Sequence, residues 1–157
     1  SAQLAAQSDW NFIFAAHLNG DKALLHDVLS FWQTHSARPT IVAVQVIVAD
    51  SYDTAAQLAE NVQLWGVELE DGQRVTVASE EQALAFAAQS GSPPRKIARR
   101  ELALLHGTAQ EVMVKLNALH TQFGIDEFII DTPVAQGHAR LTSLRLLAQA
   151  HNAVEVL

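Results

Sequence analysis

Cysteine is absent from all 157 residues. Its absence excludes disulfides, thiolate metal sites, iron–sulfur clusters and cysteine nucleophiles, and it removes any argument for an oxidising compartment. Charge is also scarce. Asp, Glu, Lys and Arg make up 17% of the chain, against roughly 25% in an average soluble protein. The shortfall predicts less water-facing surface per residue than a free-standing domain of this size shows. Basic residues are the scarcer sign: Lys and Arg number 10 against 17 Asp and Glu, for a net charge of −7. A duplex nucleic-acid binder needs a basic footprint, and a membrane-surface binder usually a basic face. Neither is evident, so no nucleic-acid or membrane partner is expected.

Long apolar runs are missing too. The longest, Ile41 to Ala49, is too short to span a bilayer and carries Gln45 inside it. No basic region followed by an apolar core opens the chain, so no secretion signal is read, and the expected location is cytoplasmic. There is no HExxH and no paired-carboxylate spacing, so no metal is expected. The glycine-rich G-x-G-x-x-G and P-loop patterns are absent, which argues against dinucleotide or triphosphate sites of those types. No nucleophile elbow supports a serine hydrolase.

What is present is a globular chain of one domain's length. It is 49% hydrophobic, with a mean hydropathy of +0.09 and a pI near 5.4. Ser1-Ala-Gln-Leu reads as a helix start with Ser1 as its cap. Asn11-Phe-Ile-Phe-Ala-Ala is a short strand. From Lys22 to His35, Leu24, Leu25, Val28, Leu29 and Trp32 fall on one helical face, which Arg38-Pro39 ends. Thr40 to Ala49 is β-branched and almost wholly apolar, as in a parallel strand covered on both faces. A helix follows on Ala55, Leu58, Ala59 and Val62.

The stretch from about 66 to 100 reads as an irregular insertion. It holds a turn at Asp71-Gly72, a short extended piece from Arg74, an Ala-rich helix over 80–89 and a basic cluster of Arg95, Lys96, Arg99 and Arg100. Regularity then returns. Leu102-Ala-Leu-Leu predicts a strand, and Thr108 with Glu111 predicts a capping box. Val112, Leu116, Leu119 and Phe123 predict a buried helical face. Phe128-Ile-Ile-Asp predicts another strand, and a last helix carries Leu141, Leu144, Leu147 and Ala148. One helix followed by four strand–helix pairs argues for parallel βαβ units. Such units fit half of a (β/α)8 barrel or a small doubly wound sheet.

Six segments carry a family resemblance. Gly107-Thr-Ala-Gln-Glu-Val-Met-Val-Lys-Leu and Phe123-Gly-Ile-Asp-Glu-Phe-Ile-Ile-Asp-Thr-Pro resemble the C-terminal end of luciferase-like flavin-dependent monooxygenases. His138-Ala-Arg-Leu-Thr-Ser-Leu-Arg-Leu-Leu-Ala resembles the closing helix of one subgroup. Ser1-Ala-Gln-Leu-Ala-Ala with Asn11-Phe-Ile-Phe-Ala resembles the helix after the family's fourth strand and its fifth strand. Ile41-Val-Ala-Val-Gln-Val-Ile-Val-Ala-Asp matches the sixth. The resemblance implies a single domain over residues 1–157: the second half, units five to eight, of a (β/α)8 TIM barrel. It implies reduced FMN and molecular oxygen as cosubstrates, a flavin hydroperoxide, a small organic substrate and a possible flavin reductase partner. The family's first half is not matched. The chain is therefore either a piece of a longer protein or a truncated member that holds flavin without turnover or serves only in association. The half barrel leaves unpaired edges at Phe12–Phe14 and Phe128–Ile130. These predict a homo-oligomer such as a dimer, or association with a missing N-terminal half.

Barrel chemistry sits at the carboxyl ends of the strands. That rule selects His17 and His106 as candidate acid–base or flavin-bonding groups, against the plainer reading of part-buried structural histidines. Gly107 is expected to serve the strand-to-helix turn and to let backbone N–H groups approach a ligand. Asp50 and Asp131 read as helix caps. The resemblance places Ser1 near the flavin phosphate, where a helix N-terminus offers N–H groups to an anion. It also places a mobile loop at the insertion, with Arg99 and Arg100 as cofactor-binding candidates. The plainer reading of that cluster is a solvated basic face.

Overall fold

A computed structural model describes residues 1–16, 21–100 and 102–155. The chain divides into two compact units, Ser1–Ala59 with Ala103–Leu157, and Glu60–Leu102.

The first unit contains α1 (Ala2–Gln7), β1 (Ile13–Ala15), α2 (Lys22–His35), β2 (Ile41–Val48) and α3 (Tyr52–Glu60). After the second unit it resumes with β6 (Leu104–Gly107), α5 (Ala109–Phe123), β7 (Glu127–Asp131) and α6 (Gly137–Glu155). All the strand pairs in this unit are parallel, as the alternation of strands and helices predicts. Strand β2 is the hub. Its β-branched residues suit a strand with neighbours on both sides and side chains buried on both faces.

In an arc of a barrel, β6 would stand between β2 and β7. The observed order differs, because β7 pairs directly with β2. Gln45 is matched with Leu104 of β6 and with Asp131 of β7, so these strands lie on opposite edges of β2. The three residues of β1 take positions 41–43, and the four of β6 take positions 45–48. Two short strands thus share one edge of an eight-residue strand, and the other edge is open to β7.

The two faces of this sheet are unlike. Val42, Val44, Val46 and Val48 point to the helices, where they form a core with Leu25 and Leu29 of α2, Val112 and Leu116 of α5, and Leu147 of α6. Inside that layer, buried Ser143 of α6 accepts a hydrogen bond from the Val48 amide at 2.8 Å. The opposite face carries Ile13, Gln45, Ile47, His106, Ile129 and Asp131 by strand alternation and register. Ile13 is 47% exposed there and Ile129 39%. Trp32 is fully buried, whereas Trp10 is exposed and not a core residue; Leu141 and Leu144 of α6 are exposed as well.

The second unit is more regular than the sequence suggests. It contains β3 (Trp65–Leu69), β4 (Arg74–Val77), α4 (Glu80–Gln89) and β5 (Pro94–Arg99). The strands form an antiparallel sheet in the order β4-β3-β5. Helix α4 covers one face through Ala83, which packs with Val67 and Leu69. The expected mobile loop is therefore, at Arg95, Lys96 and Arg99, a paired edge strand. Pro94 sits at its first residue, where a missing N–H costs least.

Candidate functional site

The carboxyl ends of the parallel strands gather polar groups on the sheet face away from the helices. Gln45 projects from mid-β2 and is 8% exposed. Its Nε2 donates to Asp131 Oδ2 at 2.9 Å; Asp131 ends β7 and α6 starts only at Gly137, so it is tied to the sheet and is not the helix cap expected from sequence. His106 lies opposite Ile47 on the neighbouring strand. Its ring meets the Tyr52 ring at a centroid distance of 5.4 Å, tilted by 47°. Its backbone carbonyl accepts a hydrogen bond from Lys115 Nζ at 3.0 Å.

Three buried polar atoms here have no hydrogen-bond partner among the described residues: His106 Nδ1, Gln45 Oε1 and Thr132 Oγ1. Buried polar groups are nearly always satisfied, because an unmet one costs about 1–3 kcal/mol. His106 and Gln45 lie on the sheet face away from the helices, and Thr132 directly follows β7.

Gly107 follows with φ of +147°, and a Cβ there would come within 2.7 Å of Glu111 Oε2. The bare Cα lets the Glu111 carboxylate fold back on the turn. Glu111 Oε2 accepts from the Thr108 amide at 2.8 Å and from its hydroxyl at 3.0 Å, completing the expected capping box with the Glu111 amide bonded to Thr108 Oγ1. These bonds, first the one from the Thr108 backbone, hold the Glu111 carboxyl below its ordinary value. A lowered carboxyl stabilises the fold above its unfolded value, and that contribution disappears as pH falls through the lower folded value. Glu111→Gln keeps an acceptor but removes the charge. The urea midpoint of the variant should fall less than that of the parent on going from pH 7 to below the ordinary value of 4.5. Parallel falls would show that the carboxylate contributes nothing to acid sensitivity.

Of the residues selected from sequence, His106 and Gly107 are adjacent on β6 and belong to this cluster. His17 lies outside the described residues. Ser1 precedes α1 and makes no side-chain cap bond; with only six residues, α1 offers little dipole to an anion. Arg99 and Arg100 belong to the second unit. Sequence reasoning missed the Gln45–Asp131 pair. Its one signal was a lone amide inside an apolar strand. Among the described residues, no group of three or more His, Asp or Glu side chains is placed to hold a metal ion, and no helix is long and apolar enough to cross a membrane.

No family model matches the chain. It is 29% identical over 154 residues to N-acetyl-S-alkylcysteine monooxygenase of Bacillus subtilis (strain 168), covering 96% of this chain and 46% of that protein. Its fold is similar to the crystal structure of apo-MsnO8, with a TM-score of 0.61 and 18% identity over 96% of this chain and 47% of that one. The chain thus spans just under half the length of the proteins it matches. It has a mixed α/β fold with a parallel sheet and is similar in sequence to a monooxygenase.

Proposed function

We propose that this chain is the flavin-holding part of a luciferase-like monooxygenase that uses reduced FMN and oxygen on a small organic substrate, the counterpart in sequence of units five to eight of the family's barrel, although β7 here pairs with β2 and not in the order of a barrel arc. The observation that carries the reading is the pair of unmet buried atoms, His106 Nδ1 and Gln45 Oε1, on one face of the parallel sheet in a chain similar to a monooxygenase. A flat heteroaromatic ring with alternating N–H and carbonyl edges fits such a mixed set. When bound, reduced flavin supplies the electrons that let one oxygen atom enter the substrate while the other leaves as water.

The residues of this chain hold and orient. His106 offers its ring nitrogen to the ring system, with Tyr52 steadying the imidazole. Gln45, anchored by Asp131, presents its carbonyl to a ring N–H. Gly107 keeps the turn close to the ligand. The Bacillus relative's name points to a thioether bearing a carboxylate as the substrate class. The exposed Ile13 and Ile129 support association across that face, with a second copy or with the family's first half, in a cytoplasmic protein.

Titrating FMN into the chain should quench flavin fluorescence. His106→Leu should weaken binding about tenfold, the equivalent of one hydrogen bond. No quenching at high-micromolar flavin would leave the chain a non-catalytic, self-associating half barrel, the alternative reading.

A further inference from the structure

The helix side of the first unit is not closed everywhere. A cleft of about 620 Å3 opens between α5, α6 and β7. Phe128 and Ile130 of β7 are matched with Val42 and Val44 of β2, so they face the helices together with those valines. The cleft therefore lies on the side of the sheet opposite His106 and Gln45.

Its chemistry is graded along its length. On α5, Met113, Leu116, Asn117 and His120 line it at i, i+3, i+4 and i+7, which is one face of a helix. On α6, Leu144, Leu147, Ala148 and His151 repeat the spacing. In both stripes the apolar residues come first and the imidazole last. Helix α5 ends at Phe123 and β7 begins at Glu127, so the polar end of the α5 stripe stands beside Asp126 and Glu127. The stretch from His151 back to Leu144, at about 1.5 Å per residue, measures roughly 10 Å. Leu116, Ile125 and Leu147 make a buried apolar floor, and Leu144 is 41% exposed on the wall. An apolar chain laid on that floor would take both surfaces out of water. Clefts of about 300–1,000 Å3 with mostly apolar walls and a few polar groups are the usual form of a small-molecule site.

The polar end accepts hydrogen bonds. His120 Nδ1 lies 2.6 Å from the Ile125 carbonyl. A carbonyl can only accept, so Nδ1 carries the proton, and the neutral ring keeps Nε2 as an acceptor. Asp126 Oδ2 accepts from the Thr40 amide at 2.7 Å, which fixes that carboxylate at the mouth. Asp126 and Glu127 make no ion pair among the described residues, and no Lys or Arg lines the cleft. The carboxyl end of α5 adds its partial negative charge there.

We infer that this cleft is a binding site for a small amphiphile with a protonated amine head and an apolar tail of about 10 Å. The ammonium meets Asp126 and His120, and the tail lies along Leu116, Leu147 and Phe128. The site stands on this geometry and goes beyond the function proposed above without depending on it.

The probe is octylamine, titrated into the full chain by calorimetry at low ionic strength. Binding in roughly the high-micromolar range is expected for a ligand of this size. Butylamine, four methylenes shorter, should bind at least fiftyfold more weakly. Octanoate, with a similar tail and the opposite charge, should bind at least tenfold more weakly than octylamine. Ala148→Phe, on an exposed position of α6, puts a ring into the cleft and should abolish octylamine binding while FMN titrates as in the parent. Asp126→Asn with Glu127→Gln removes both charges and keeps an acceptor for the Thr40 amide. It should weaken octylamine about tenfold, as loss of a charged hydrogen bond would, and leave octanol binding unchanged, which misfolding would not do. No octylamine binding, equal binding by Ala148→Phe, or octanoate bound as tightly as octylamine overturns the site, whatever the outcome with flavin.

Discussion

Replacing Trp32 with alanine should lower the unfolding free energy by about 3–5 kcal/mol, the usual cost of truncating a buried tryptophan. Trp32 is fully buried on the inner face of α2. Its ring lies 5.4 Å from that of Phe12, tilted by 43°, so the truncation also unseats the residue leading into β1. Its Nε1 donates to the Pro39 carbonyl at 3.1 Å, which ties the end of α2 to the start of β2. Small domains are stable by only about 5–15 kcal/mol in total, so a large part of the molecule should unfold at modest denaturant. Urea melts followed by circular dichroism measure this. Trp32→Phe separates the contributions: it keeps most of the volume and loses the N–H, and should cost about 1–2 kcal/mol. Equal midpoints for the parent and the alanine variant would show that the α2–β1 packing contributes little.

Gly107→Ala should be the most damaging single methyl in the candidate site. The backbone there has φ of +147°, a region open to glycine and costly to any L side chain, by about 1–3 kcal/mol. The new Cβ would also stand 2.7 Å from Glu111 Oε2. Relief by swinging the carboxylate away breaks its bonds to Thr108, and a lost cap costs about 1 kcal/mol more. The combined expectation is about 2–4 kcal/mol of destabilisation. Flavin affinity should fall too, because His106 immediately precedes the distorted residue. Thr108→Ala is the informative companion: it removes the hydroxyl of the capping box without touching the backbone at 107. Similar effects from the two variants would reduce the role of Gly107 to supporting the cap.

Much of the first unit was legible in the sequence because its signals are local. The apolar spacing from Leu24 to Trp32 marks α2, observed as Lys22–His35, and the β-branched run marks β2, observed as Ile41–Val48. The Thr108–Glu111 spacing marks the start of α5. The third parallel strand begins at Leu104 rather than Leu102, a shift that propensity alone does not resolve. Strand order was not legible at all. Which edge of β2 accepts β7 depends on how two short strands divide the opposite edge, and no residue encodes that locally. The antiparallel unit was hidden for a related reason. Pro94-Arg-Lys-Ile-Ala-Arg has no clean alternation, and it becomes a strand only by pairing with Trp65–Leu69. In the candidate site, His106 and Gly107 followed from position at a strand end. The partner of Gln45 lies 86 residues away, beyond any spacing rule.

The central place of β2 bears on synthesis. Its register with β7 closes at Asp131, which follows Val48 by 83 residues (131 − 48). At about 5–20 residues per second on the ribosome, the most apolar segment of the protein waits roughly 4–17 seconds for that neighbour. Throughout that interval a nascent Ile-Val-Ala-Val-Gln-Val-Ile-Val stretch stands without its full complement of hydrogen bonds. An exposed apolar segment with an unpaired strand edge is the kind of feature that makes folding intermediates prone to aggregate.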